Sequence, residues 1–193
     1  NFTIYPYTNT GASIDYKTDS PQSTSGMTDA LISGVIYEQD FDLNTSWSYN
    51  CDVAFFDNGW GSDGYLGIID IASASPLNYA NLSQNIFGEN DLDDEGDNGT
   101  PGTMTIDFAD ADISAYTDVV LSFDWDISGY NADPDDARYE VFHDGVSQGI
   151  VYLVDGGVDP QDGEGTVSLN IPDEVNTLDL RIYIDDNGST GYS

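Results

Sequence analysis

From Val119 to Ile127 the chain alternates in period two. Val119, Leu121, Phe123, Trp125 and Ile127 fall on one parity, and Val120, Ser122, Asp124 and Asp126 fall on the other. A helix cannot gather those residues on one side, whereas a strand gives them one dry face and one wet face. Trp125 shares the dry parity with Leu121 and Phe123 and is expected in the core. The turn-forming segment GYNADPDD follows, then a second alternating run from Arg138 to His143. Asp144-Gly145 is a tight-turn pair, and Val146 to Val154 resumes the apolar pattern directly after it. Three consecutive antiparallel strands at the centre of a β-sandwich are the reading this order supports.

The rest of the chain extends the pattern. Leu31–Phe41 reads as the first strand of the sandwich, and residues 45–70 as short strands between Gly-rich turns, with Tyr65–Ile71 buried. Leu77–Ile86 offers room for a short helix. Thr103–Phe108, Thr166–Ile171 and Leu178–Ile184 read as further strands. Many short strands at this spacing, with almost no helix, predict an all-β fold: an antiparallel β-sandwich of jelly-roll type over residues 31–193. Residues 1–30 stand apart as a short N-terminal arm and polar linker. Phe2, Ile4 and Tyr7 give the arm a brief apolar pattern that Pro6 and Gly11 interrupt, and Thr18–Thr28 is polar. An opening Asn1 in place of Met is expected of a processed or excised piece. The closing turn DDNGSTGYS is of a kind that leads into another strand. Either a closing strand has been cut off or another segment fills its place; the arm of the same chain, or that of a neighbouring copy by donor-strand exchange, is the candidate.

Charge narrows the function. Three Lys and Arg (Lys17, Arg138, Arg181) face 36 Asp and Glu, for a net charge of −33. Such a chain repels itself when compact unless cations screen or bind it. It has almost no cations with which to displace counterions from a nucleic-acid backbone, so nucleic acid is excluded as a partner. No apolar run is long enough for a spanning helix, and no membrane insertion is expected. Alternating aromatic strands argue against the disorder that high net charge otherwise suggests. With one cysteine, Cys51, an internal disulfide is impossible, and the thiol reads as a small buried hydrophobe.

IYEQDFD, FFDNGWGSDGYLGI, IDFADADIS, LSFDWDISGYNAD and YEVFHDG together resemble the jelly-roll modules of secreted bacterial multidomain proteins. Such modules sit beside lamin-tail, nuclease or other hydrolase domains and are more distantly similar to MAM-like and carbohydrate-binding sandwiches. The resemblance runs from Ile36 to Tyr192 and rests on strand-and-turn motifs. It implies a secreted or cell-surface location and a structural calcium shared by the first and last strands. Glu38 and Asp40 match the first-strand half of that site. The last-strand half is missing from this sequence.

Calcium chemistry is also readable from the residues, because the ion takes six to eight oxygen ligands from carboxylates, carbonyls and water. The loop after Asn90 carries Asp91, Asp93, Glu95 and Asp97 at alternate positions, with Gly96 sixth, like the first half of an EF-hand. Gly102 stands where a bidentate Glu would be required, so a looser β-sandwich calcium loop is the expectation. Further acidic sets are Asp133, Asp135 and Asp136; Asp155, Asp159, Asp162 and Glu164; and Asp185 with Asp186. Catalysis is not expected. The lone His143 reads as a strand-face residue, and there is no phosphate loop, zinc cluster or nucleophile elbow. Nor do the acids single out the pair that a glycosidase-like jelly roll would need. Trp47, Tyr49, Trp60 and Tyr65 are the aromatics best placed for stacking on sugars, with core packing as their simpler role. The expected function is therefore an extracellular, non-catalytic structural or adhesive module rigidified by Ca2+, with copies of itself as candidate partners. A carbohydrate-binding accessory module of a secreted hydrolase, with extracellular glycans as partner, is the alternative.

Overall fold

A computed structural model describes residues 34–61, 64–92, 102–130, 135–157, 162–186 and 191–193, with the backbone of two short strands nearer the N-terminus. The chain divides into two compact units, Asn1–Ile36 and Tyr37–Ser193. In the first, β1 (Thr3–Ile4) pairs antiparallel with β2 (Gln22–Ser23).

The second unit is an antiparallel β-sandwich. Its larger sheet is built from β3 (Tyr49–Cys51), β7 (Thr103–Phe108), β8 (Ala111–Asp112), β10 (Asp136–His143), β11 (Val146–Asp155) and β13 (Thr177–Asp185). The order is β11-β10-β13-β7-β3, with β8 pairing β13 beside β7. The β10–β11 hairpin closes through Asp144 and Gly145, both at positive φ, as the Asp-Gly pair predicts. Alternation then sets the faces. Ala137, Tyr139 and Val141 of β10, Met104, Ile106 and Phe108 of β7, and Leu178, Leu180 and Ile184 of β13 are buried together. On the solvent face, Arg138 pairs with Asp136 and lies over the Tyr152 and Tyr183 rings, while Arg181 pairs with Asp107 and covers Phe142.

The facing layer comes in two parts. One is β4 (Phe56–Gly59), β5 (Gly64–Asp70) and β6 (Asn85–Asn90), in the order β4-β5-β6. The other is β9 (Val120–Ile127) with β12 (Gly163–Asn170). Gly191–Ser193 joins them. Tyr192 bridges antiparallel to Asn90 at the end of β6 and to Ser128 just past β9. Four backbone hydrogen bonds hold it: a reciprocal pair between Tyr192 and Ser128, and another between Ser193 and Glu89. Residues 191–193 thus splice the two parts of this layer together.

Leu66, Leu121, Ile127 and, half-buried, Phe87, Phe123, Trp125, Val167 and Leu169 fill the interior against the larger sheet. Phe123 and Tyr139 meet across the layers edge to face, with ring centroids 5.3 Å apart. A second, smaller cluster lies on the other side of β6, where Ile86 meets Ala74, Leu77, Leu82, Trp60 and Tyr192.

Two segments depart from the sequence reading. Within Leu31–Phe41 the described residues form no strand beyond a single bridge, Gln39 to Thr45. The Asp40 carboxylate accepts from the Asp42 and Asn44 backbone N–H groups, and Gln39 Oε1 accepts from the Phe41 N–H, so local side chains hold a turn there. Leu77–Ile86 is not helical. A one-turn 3-10 helix at Ile71–Ser73, capped by Asp70, leads through turns into β6, which begins at Asn85.

Candidate functional site

Register brings the strand ends that flank the acidic loops singled out in the sequence to one end of the sandwich. Thr103 of β7 and Asp136 of β10 both lie opposite Asp185 of β13, and Asp136 also lies opposite Asp155 of β11. In the other layer Gly163 of β12 lies opposite Ile127 of β9, and Tyr192 draws Ser128 beside Asn90. The segments 91–102, 128–135, 156–162 and 186–191 therefore all connect strand ends on the same side. Asp91, Asp135, Asp136, Asp155, Asp162, Glu164, Asp185 and Asp186 stand there. Asp93, Glu95, Asp97, Asp133 and Asp159 belong to these connections but lie outside the described residues.

At the rim of this end, carboxylates organise backbone. Asp162 accepts from the Gly129 N–H, Asp136 from the Gly156 N–H and Asp155 from the Gly157 N–H. Burial pushes the Asp185 carboxyl up, with Arg138 pulling the other way.

Deeper in, the chemistry changes. Glu89 occupies the same parity of β6 as Phe87 and so points into the sandwich, where it is completely buried. Its Oε2 accepts from Ser193 Oγ at 2.5 Å and from the Tyr130 hydroxyl at 3.2 Å. Its Oε1 has no hydrogen-bond partner. Asp186, also buried, takes the Asp91 N–H on Oδ2 at 3.0 Å, and its Oδ1 is without a partner. Asp135 and Asp91 are buried beside them. Burial, and then the Asp186 carboxylate, hold the Glu89 carboxyl well above the usual carboxylate range. Burial likewise pushes Asp186 up to about 6, with Asp135 and Asp91 adding to the rise. A hydrogen bond with Glu89 acts in the opposite direction on Asp186.

Gly191 packs the site. A Cβ there would stand 2.5 Å from Tyr130 Cδ1 and 3.1 Å from Asp186 Oδ2, so only glycine lets the closing segment pass. Among the described residues no three His, Cys, Asp or Glu side chains already form a metal cage. Glu89 escaped the sequence reading. Its parity with Phe87 was the available signal, obscured by 35 other acids in the chain.

Glu38 and Asp40 are elsewhere. Asp42, in the turn that Asp40 holds, accepts from Asn85 at the start of β6, and the Glu38 carbonyl accepts from Trp47 N–H. Five residues of strand, about 16 Å, separate Asn85 from Asn90. The structure therefore does not bring Glu38 and Asp40 to Asp91. Among the aromatics, Trp47 is in the core with its indole N–H donating to the Ala109 carbonyl, and Tyr49 packs with Phe41, Phe87 and Phe108. Trp60 stands edge-on to Tyr65, lies against Gly88 and donates to the Ser75 carbonyl. Each of the four serves packing, and they form two groups rather than one stacking platform. Comparison with known protein families, curated proteins and solved structures gives no match.

Proposed function

We propose that this chain is an extracellular, non-catalytic structural or adhesive β-sandwich module of jelly-roll type, rigidified by calcium at its acidic end. The convergence of four acidic connections on one end supports this reading best. Asp91, Asp135, Asp136, Asp155, Asp162, Asp185 and Asp186, dispersed in the sequence, stand at that end, and a hard cation with oxygen ligands would relieve their mutual repulsion. The position is structural in character. Strand ends from both layers meet there, so an ion held among them ties the two sheets together. His143 sits in β10 across from Val146 and Leu178, at the end of the strand opposite Asp136, and no nucleophile–base pair involves it among the described residues.

Differential scanning calorimetry tests the proposal. Excess chelator should lower Tm and calcium should restore it, whereas sodium at equal ionic strength should restore much less. A site filled to 100 times its dissociation constant contributes about 2.7 kcal/mol. An unchanged Tm in chelator would remove calcium from the reading. Equal rescue by sodium would leave only charge screening.

A further inference from the structure

We propose that the outer edge of β11, at Ile150–Tyr152, is the acceptor for residues 2–5 of a neighbouring copy of this chain, which join the larger sheet as an added strand. The inference goes beyond the module reading above by naming a surface and its partner, and it requires no ion bound at the acidic end. Joined by the splice, the smaller layer ends in β4 and β12, and the larger sheet ends in β3 and β11. An edge strand offers backbone N–H and carbonyl groups to any extended chain, and proteins blunt such edges with charge, brevity or bulges. β3 is three residues long, β4 carries Asp57 and β12 carries Glu164. β11 is ten residues long, and its only charged side chain is the last, Asp155.

Apolar surface collects on the same strand, where Val146, Ile150, Val151 and Tyr152 all stand exposed. Val151 lies opposite the buried Tyr139, on the inward parity, and is nevertheless 46% exposed. The facing layer therefore stops short of it and leaves room for an apolar side chain alongside. Ile150 and Tyr152 lie on the outer face, opposite Glu140 and Arg138. Two register shifts interrupt the pairing of β11 with β10, one beyond Tyr152 and one beyond Ile150, where Gly149 adopts a φ of 98°. Between them only Ile150–Tyr152 keeps an unbroken register. A second β11 would meet these bulges with bulges of its own, so the edge suits a short strand.

Phe2–Tyr5 is such a strand in sequence. Phe2 and Ile4 share one parity, Thr3 and Tyr5 share the other, and Pro6, which has no N–H, ends the ladder. Set opposite Val151, Ile4 turns inward together with Phe2, while Thr3 and Tyr5 fall beside Ile150 and Tyr152 on the outer face. No acid precedes Asp15, so this pairing joins two neutral stretches of a chain whose net charge is −33. Within one chain Thr3–Ile4 is paired with Gln22–Ser23, and among the described residues β11 pairs with β10 alone. The strand that covers the edge is therefore supplied by another copy. The two-residue ladder it leaves behind is marginal by itself, so its release opposes the exchange weakly.

The test uses full-length chains in calcium chloride, with mass read by light scattering and the fold checked by the near-ultraviolet spectrum. Val151→Lys damages the acceptor and Ile4→Lys the donor. Val120→Lys makes the same change of charge at an exposed residue of β9. All three lower the net negative charge, so charge alone predicts association at least as strong as that of wild type. Wild type and Val120→Lys should rise above the monomer mass, whereas Val151→Lys and Ile4→Lys should each stay monomeric. Mixed together, the two silent variants should form dimers and nothing larger, because one supplies a donor and the other an acceptor. In assembled wild type, amide exchange should slow in β11 and not in β3, β4 or β12. If Val151→Lys assembles like wild type, or another edge is the one protected, the acceptor is elsewhere and the assignment is overturned. A wild type that stays monomeric, with β11 exchange unchanged, overturns the exchange between copies and leaves the calcium reading, tested by Tm, intact. A monomer whose β11 exchange quickens in Ile4→Lys would show that the chain's own arm covers the edge, which also overturns the exchange.

Discussion

Trp125 stands on the inward parity of β9, yet its indole is only half-buried, because its neighbours across the strand pair are Gly165 and Gly163. A Cβ on Gly163 would approach the ring at 2.8 Å, so the indole lies flat along β12 and replaces the side chains those glycines lack. Trp125→Ala should therefore cost about 2 kcal/mol, less than the 3–5 kcal/mol of a fully enclosed tryptophan, as read from the urea midpoint. Asp124→Asn, on the wet face beside Thr166 and Asn81, should stay within about 0.5 kcal/mol. An aspartate change costlier than the tryptophan change would invert the assignment of faces. Asp186 gives a pH signature instead. Its folded pKa, about 6, lies above its ordinary value of 3.8. Stability from the protonated group is thus fully present below about pH 4 and is lost as pH rises through 6. Asp144 has the opposite sign. Backbone N–H groups of Thr177 and Asn176 hold its carboxyl down, so its contribution is present above the ordinary value and is lost on acidification. In chelator, the stability difference between Asp186→Asn and wild type should widen in favour of the variant from pH 4 to pH 7. A constant difference would contradict the burial of that carboxyl.

At the level of elements, the splice of Gly191–Ser193 is the contact on which the smaller layer depends. Without it β4-β5-β6 and β9-β12 are separate ribbons, and two-stranded ribbons have little stability alone. Gly191→Ala pushes a methyl group into the Tyr130 ring and should cost about 1–3 kcal/mol. Deleting residues 191–193 should cost more and should raise amide exchange in β6 and β9 before β10 and β13. Uniform exchange across both sheets would show that the layers are not joined there. The long strands were legible because alternation encodes them. β9, β10, β11, β12 and β13 fall within a few residues of the sequence reading. Over residues 34–41 the apolar pattern matches a strand that does not form, because Gln39 and Asp40 capture nearby N–H groups and Phe41 adopts a φ of 58°. β6 was missed because Asn, Gly and Glu dominate Asn85–Asn90, and such residues are poor strand formers whose pairing here comes from β5. The acidic loops were visible one by one. Their convergence was not, since only register brings Asp91, Asp135, Asp155 and Asp186 to one end.

Across the whole molecule, a net charge of −33 sets the conditions under which copies can approach one another. Both described arginines are engaged with aspartates of their own sheet, so no free basic patch among the described residues draws an acidic neighbour. Association of this chain with itself therefore requires screening or bridging by cations, and an element that adds attraction beyond charge. Residues 1–16 carry that element in their sequence: Phe2, Ile4, Tyr5 and Tyr7 within one short stretch, with a single acid, Asp15, and a single base, Lys17, just beyond. Strand donation by this segment to a neighbouring copy would have to release Thr3–Ile4 from Gln22–Ser23 and would be a head-to-tail contact, which propagates unless its rotation closes a ring. Light scattering across a calcium titration should then show mass rising above that of the 20.9 kDa monomer. A chain lacking residues 1–16 should remain monomeric with its near-ultraviolet spectrum intact. Screening alone predicts another pattern, in which sodium and calcium at equal ionic strength act alike and removal of the segment changes nothing. A full-length chain that stays monomeric in both salts would leave calcium its role within one molecule and exclude assembly through the arm.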